Sequence, residues 1–267
     1  MSAAVSGETV RWGGAPVDPS EPNLPALKGA YLLRHVPRRG TVVEIGCGEG
    51  KWLRLLAAHA PELELFGADV QPPSDPRGFA YLPLSDGTVA LDAARADAVV
   101  LFDVLEHVDE PPALIAEARR LLKPGGHLVA FVPIEGEKWS AYELYRLLLG
   151  ADTYRLTKEH VQAFTHDDLD RLIGEGFSLV DRTFAYHPIG HALDATFFAA
   201  ARLDRIRRFW WQENEYYRGK GSSDAGLLPK ALNLAMKAAN ALAFYESTAL
   251  SRRRFGAAGQ LVTLVKR

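Results

Sequence analysis

The chain has almost no cysteine: of its 267 residues, Cys47 alone carries a thiol. One thiol excludes an intrachain disulfide framework and any multi-thiolate metal centre, and it fits a reducing compartment. An excess of charge of one sign is equally lacking, with 31 Lys and Arg against 33 Asp and Glu. Phosphate backbones attract basic surfaces, so this balance argues against nucleic acid as a partner. No stretch approaches the roughly 20 apolar residues of a spanning helix. No basic start followed by an apolar core marks a secretory leader, and a cytoplasmic location is the expectation. Internal repeats and low-complexity tracts are not found either.

What the sequence does contain is an apolar run, Val42-Val43-Glu44-Ile45, that empties into Gly46-Cys47-Gly48-Glu49-Gly50 and then a helix from Lys51 to about Ala60. Glycines at alternate positions let the backbone turn sharply and come within contact distance of a ligand. A dinucleotide fingerprint needs its third glycine where this chain has Lys51, which argues against a nicotinamide oxidoreductase. Leu63 to Val70 reads as a second strand ending in Asp69, an acid placed to accept hydrogen bonds from both hydroxyls of a ribose. A proline-rich linker, residues 71–78, leads to a short third strand from Phe79 to Leu84. The near-continuous apolar run from Ala96 to Phe102 suits a strand covered on both faces. Pro111-Pro112 opens a helix through about Leu122, and a fifth strand follows to Pro133.

Three segments in order, Glu44 to Gly50 (E-x-G-x-G-x-G), Asp103-Val104-Leu105-Glu106-His107-Val108 and Leu122-Lys123-Pro124-Gly125-Gly126, resemble the signatures of class I S-adenosylmethionine-dependent methyltransferases, in particular the small-molecule, type 11-like group. The resemblance covers residues 24–184 and a terminal strand at Leu261 to Val265. It implies an α/β, Rossmann-like, seven-stranded and mostly parallel sheet with helices on both faces, an antiparallel last strand and helical inserts. It implies S-adenosylmethionine as cofactor. Gly46, Gly48 and Gly50 would then let the backbone approach the cofactor, with Cys47 as a small buried neighbour. Glu44 would lie near its amino-acid end, Asp69 and the adjoining Val70 at the ribose, Asp86 at the adenine, and Asp103 at the methionine part or the methyl group.

Residues 1–23, rich in glycine and proline, read as a flexible arm before one domain spanning 24–267. The connection 134–165, with Trp139, Tyr142, Tyr145 and Tyr154, is longer than an ordinary link and stands over the ligand crevice as a lid. A second insert, 186–257, places Arg202, Arg205, Arg207 and Arg208 beside Phe209, Trp210 and Trp211. Basic residues beside tryptophan suit either a solvated helix with aromatic core contacts or a membrane interface, so 202–211 and 228–254 are the candidates for peripheral membrane contact. Methyl transfer needs little covalent chemistry beyond holding a nucleophile in line and accepting its proton. His107 and His160 are the candidate proton acceptors, because neutral imidazole is available at neutral pH. Glu106 and His107 with Glu135 or Glu137 could hold a divalent ion, but the spacing is no recognised ligand set and no metal is expected. The acceptor is expected to be a small molecule, sugar or lipid-linked compound reacting at oxygen; the absence of an N-P-P-Y motif after the fourth strand tilts away from DNA-amine and glutamine methylation, while C- or N-methylation of a small molecule and cofactor binding without catalysis stay open.

Overall fold

A computed structural model describes residues 16–138, 140, 142–143, 147–148, 160–174, 176–200 and 227–267. Its centre is one sheet of eight strands: β1 (Arg39–Ile45), β2 (Glu62–Asp69), β3 (Ala80–Ser85), β4 (Thr88–Val89), β5 (Ala96–Phe102), β6 (Leu122–Pro133), β7 (Phe177–Ala185) and β8 (Gly259–Lys266), in the spatial order β4-β3-β2-β1-β5-β6-β8-β7. β3, β2, β1, β5 and β6 run parallel, and β8 lies antiparallel between β6 and β7. The α/β class and the antiparallel last strand are as expected.

The count of seven strands is corrected to eight. The additional strand, β4, is two residues long and pairs antiparallel with the edge of β3. It is held there by α3 (Pro111–Leu121): Glu117 Oε1 accepts from Val89 N–H at 2.9 Å, and Arg120 donates to the carbonyls of Leu91 and Val89. So short a strand carries no period-two pattern, and side chains of a later helix fix it.

The sheet is covered on both faces because its strands alternate. Val42, Ala98, Val100, Phe102, Val129 and Phe131 face α1 (Leu24–His35) and α2 (Lys51–His59). Val43, Ile45, Val99, Leu101, Leu128 and Ala130 face α3 and α4 (His166–Ile173). α1 begins where Asn23 Oδ1 accepts from Ala26 N–H at 2.8 Å, satisfying one donor of the first turn. Its buried stripe is Leu24, Leu27, Lys28 and Tyr31, so a lysine occupies a core position. α4 begins with a reciprocal Thr165–Asp168 capping box.

Between β7 and β8 the described residues form α5 (Pro188–Ala200) and α6 (Leu227–Ala249), which pack on each other, α6 also on α1. Residues 1–15 of the expected arm, Trp139, Tyr145 and Tyr154 of the expected lid, and the basic-aromatic run 202–211 lie outside the described residues. Among the described residues no helix is long and apolar enough to cross a membrane.

Candidate active site

The parallel strands leave their carboxyl ends on one edge, and the strand order reverses beside β1: the chain continues to β2 on one side and later places β5 on the other. In open α/β sheets ligands bind at such a switch point. β1 there ends in Gly46 (φ 73°), whose N–H and that of Cys47 both donate to the Ala68 carbonyl at 2.7 and 3.1 Å. A side chain at Gly46 would start 2.5 Å from Val104 Cγ2, so neither its φ nor its surroundings admit one. Gly50, also at positive φ, caps the start of α2 and packs on the Phe79 ring. The turn is thus clamped between β2 and the segment after β5.

Asp69, the last residue of β2, closes the same turn. Its Oδ2 accepts from Gly48 N–H at 2.8 Å, its Oδ1 from Gln71 N–H at 3.3 Å, and its carbonyl from Tyr81 O–H at 2.9 Å. The carboxylate retains lone pairs beyond these two bonds. Val70 beside it is 73% exposed, an apolar surface at the crevice rim. Asp86 and Gly87 form the tip of the β3–β4 hairpin, both at positive φ, as a type I′ turn requires. Asp86 is exposed there, two strands out from β1, and none of the side-chain contacts described here joins it to Asp69. Cys47 is buried and burial drives its thiol upward, as do Glu44 and Asp69, so it packs rather than attacks.

Four charges converge at the inner end of the crevice. Glu44 is buried, with Oε2 lacking a hydrogen-bond partner; burial raises its carboxyl well above the usual range although Lys51 opposes this. Asp103 follows β5 at φ 56° and accepts from Lys28 Nζ through both oxygens, at 2.9 and 2.8 Å. Burial pushes the Asp103 carboxyl up, but Lys28, Lys51 and His160 more than offset it, leaving it below the ordinary value. Lys28 also lies 3.5 Å from the centroid of Phe131, with Tyr186, a second non-glycine residue at φ 56°, on its flank. Lys51 is lowered, first by burial and then by Lys28. Two acids and two cations thus lie together, and the unpartnered Glu44 oxygen could accept from a ligand ammonium.

Beyond Asp103 lies a second cluster. Glu106 and His107 sit on a single 3₁₀ turn, Leu105–His107, and Glu106 is 1% exposed, with Oε2 lacking a hydrogen-bond partner. Burial, followed by the charges of Asp103 and Glu135, raises the Glu106 carboxyl well above its usual value. The returning end of the 134–165 connection is stitched to this turn: Val161 and Gln162 N–H both donate to the Glu106 carbonyl, at 2.8 and 3.0 Å. That delivers His160 onto His107, ring centroids 4.8 Å apart and edge to face. His160 Nδ1 lies 2.9 Å from Glu135 Oε2. The two histidines named as candidate proton acceptors are thus brought together. Glu137, the other acid named with them, instead accepts from His166 N–H and faces Arg254.

Lys28 was not named from the sequence, and Glu135 was named only as a possible metal ligand, not as the partner of His160. Lys28 does leave one trace, a cation on the apolar stripe of α1. Glu135 is fixed only by tertiary folding of the long connection.

The chain matches a family described as a methyltransferase domain over residues 22–180, well over half of its length. It is 34% identical over 130 residues to a ubiquinone biosynthesis O-methyltransferase of Xylella fastidiosa, covering 42% of this chain and 51% of that protein. A protein of the same name from Coxiella burnetii is 26% identical over 179 residues, covering 61% of this chain and 75% of that one. The chain thus spans about half the length of the first relative and three quarters of the second. In fold it resembles the (4+2)-cyclase SpnF, with a TM-score of 0.58 at 14% identity, covering 97% of this chain and 87% of that one. Matched through the switch point, its glycine turn and Asp69, the chain belongs to the class I S-adenosylmethionine-dependent methyltransferases.

Proposed function

We propose that this protein transfers the methyl group of S-adenosylmethionine to an oxygen of a small or lipid-linked acceptor. The observation that carries the reading is the His107–His160 pair, backed by Glu135, just beyond Asp103 at the end where the methyl would lie. When bound, the cofactor supplies a methyl carbon already activated by the sulfonium. The chain then has to bind it, align the acceptor and take a proton. Glu44 and Lys51 would hold the two charges of the amino-acid end, Asp69 the ribose, and Val70 and Asp86 the adenine side, with Asp103, fixed by Lys28, beside them. With the methyl group supplied by the cofactor, an imidazole of the pair would take the proton of the acceptor hydroxyl. Glu135 stabilises the charge that develops on His160. The relatives named as ubiquinone biosynthesis O-methyltransferases favour oxygen.

A screen of phenols, catechols, sugars and amines with S-adenosylmethionine, read by mass, tests this. Methylation of a hydroxyl compound that falls at least about 100-fold in His107→Ala is expected. Methylation confined to amines, or tight cofactor binding with no turnover, would overturn it. The second outcome would favour a cofactor-binding protein without methyl transfer.

A lipid-linked acceptor draws support from α6, which exposes Leu234, Leu242 and Tyr245 on one side, with Lys237 exposed and Arg253 and Arg254 following the helix. Apolar side chains bordered by cations suit an anionic membrane surface. Flotation with phosphatidylglycerol vesicles at low salt should carry the protein upward. Recovery of all the protein in the lower fraction would remove membrane contact from the proposal.

A further inference from the structure

We infer that Glu106, His107 and His160 form a site for a first-row divalent cation such as zinc or manganese, with Glu135 supporting His160 from behind. One carboxylate oxygen of Glu106 and one ring nitrogen of each histidine lie within 4.8 Å of one another. Donors about 2.1 Å from a shared ion sit at most about 4.2 Å apart, so side-chain movements of less than about 1 Å close the set. His107 Nε2 is already 3.9 Å from Glu106 Oε1.

The independent observation is Glu106 itself. Its side chain is essentially without solvent contact, and Oε2 has no hydrogen-bond partner. The neighbouring charges do not supply one. Lys28 is taken by Asp103, and Glu135 by His160. A buried carboxylate with one oxygen unpartnered and the other 3.9 Å from the His107 ring is a ligand in waiting. Contact of His160 Nδ1 with the Glu135 carboxylate leaves Nε2 as the donor and fixes the ring, the usual support of a metal-bound histidine.

Two imidazoles and one carboxylate suit zinc, manganese or iron better than calcium or magnesium, which take oxygen donors. Three protein ligands leave coordination positions open, and the exposed face of His107 gives an acceptor access to them. The inference deepens the proposed oxygen methylation and rests on that reading for its purpose: an acceptor hydroxyl bound to the cation loses its proton to water. The carbon–oxygen bond then forms as the carbon–sulfur bond breaks, with the cation's charge unchanged. In the loaded enzyme the cation therefore takes over from the imidazoles the task of ionising the acceptor.

The test uses the full, tag-free chain, stripped with a chelator that is then removed, and titrated with zinc alone and with manganese alone by calorimetry. One equivalent with micromolar or tighter affinity is expected, weakened at least tenfold in Glu106→Gln, His107→Ala and His160→Ala. Binding of S-adenosylmethionine in the same variants should stay within about threefold of the parent, which shows that they fold. His107 is exposed, so His107→Ala keeps the test decisive if a buried variant fails to fold. No saturable metal binding, or binding equal in parent and folded variants, overturns the site. Failure of the parent to bind S-adenosylmethionine would instead sink the proposed function and leave the metal result standing.

Discussion

Glu44 carries the conflict between stability and binding most plainly. Its unpartnered, buried carboxyl is raised above the ordinary value, so between pH 4.5 and that raised value the folded state holds more protons than the unfolded one. Stability from this group therefore falls as pH rises through that window. Glu44→Gln should stabilise the cofactor-free protein at pH 7 by about 1–3 kcal/mol in urea unfolding and weaken S-adenosylmethionine at least about tenfold. Equal stability with unchanged affinity would contradict the role given to Glu44. His166 has the opposite sign. Burial lowers it first and Arg254 adds to this, while Gln260, Ala257 and Glu137 oppose. Its folded value lies below 6.5, so stability is full above that pH and declines as pH falls through it. The urea midpoint should drop between pH 7 and 5.5, and the drop should be shallower in His166→Gln. Parallel pH profiles would show that His166 contributes nothing to this slope.

At the scale of elements, the site depends on how closely α2 lies on β2. Gly67 leaves room there: a Cβ on it would start 2.8 Å from Leu53 Cδ1 and 2.9 Å from Cys47 Sγ. Gly67→Ala should thus press on both the helix and the glycine turn, costing about 1–3 kcal/mol of stability and weakening the cofactor, as read by unfolding and calorimetry. Combining it with Leu53→Val should cost less than the sum of the two single changes, because one steric contact is shared. Wild-type behaviour in Gly67→Ala would show that the packing has slack. The strands, the glycine turn and Asp69 were legible in the sequence because they rest on short-range chemistry: apolar runs, φ > 0 positions and an acid at a strand end. β4 was not, since two residues show no period and the strand is held by Glu117 and Arg120 from α3. His160 could be named but not placed, because two backbone bonds to the Glu106 carbonyl, some fifty residues away in sequence, set its position. Lys28 needed only attention to a cation on an apolar helix stripe.

At the scale of the molecule, the strand reversal beside β1 gathers the ends of β1, β2 and β5, and hence Glu44, Asp69 and Asp103, on one edge. The inserted connection then brings His160 over that edge from the other side. The buried charges of Glu44 and Lys51 and the imidazole pair thereby lie on either side of Asp103, and the proposed function requires the cofactor to bind at that edge. The most direct test is calorimetric titration of the parent and of Asp69→Ala with S-adenosylmethionine and S-adenosylhomocysteine, with NAD as a control. Micromolar binding of both sulfur compounds, no heat with NAD and a loss of at least about tenfold in Asp69→Ala is the predicted result. Folded protein that binds neither sulfur compound, or an Asp69→Ala variant that binds both as the parent does, would contradict the account.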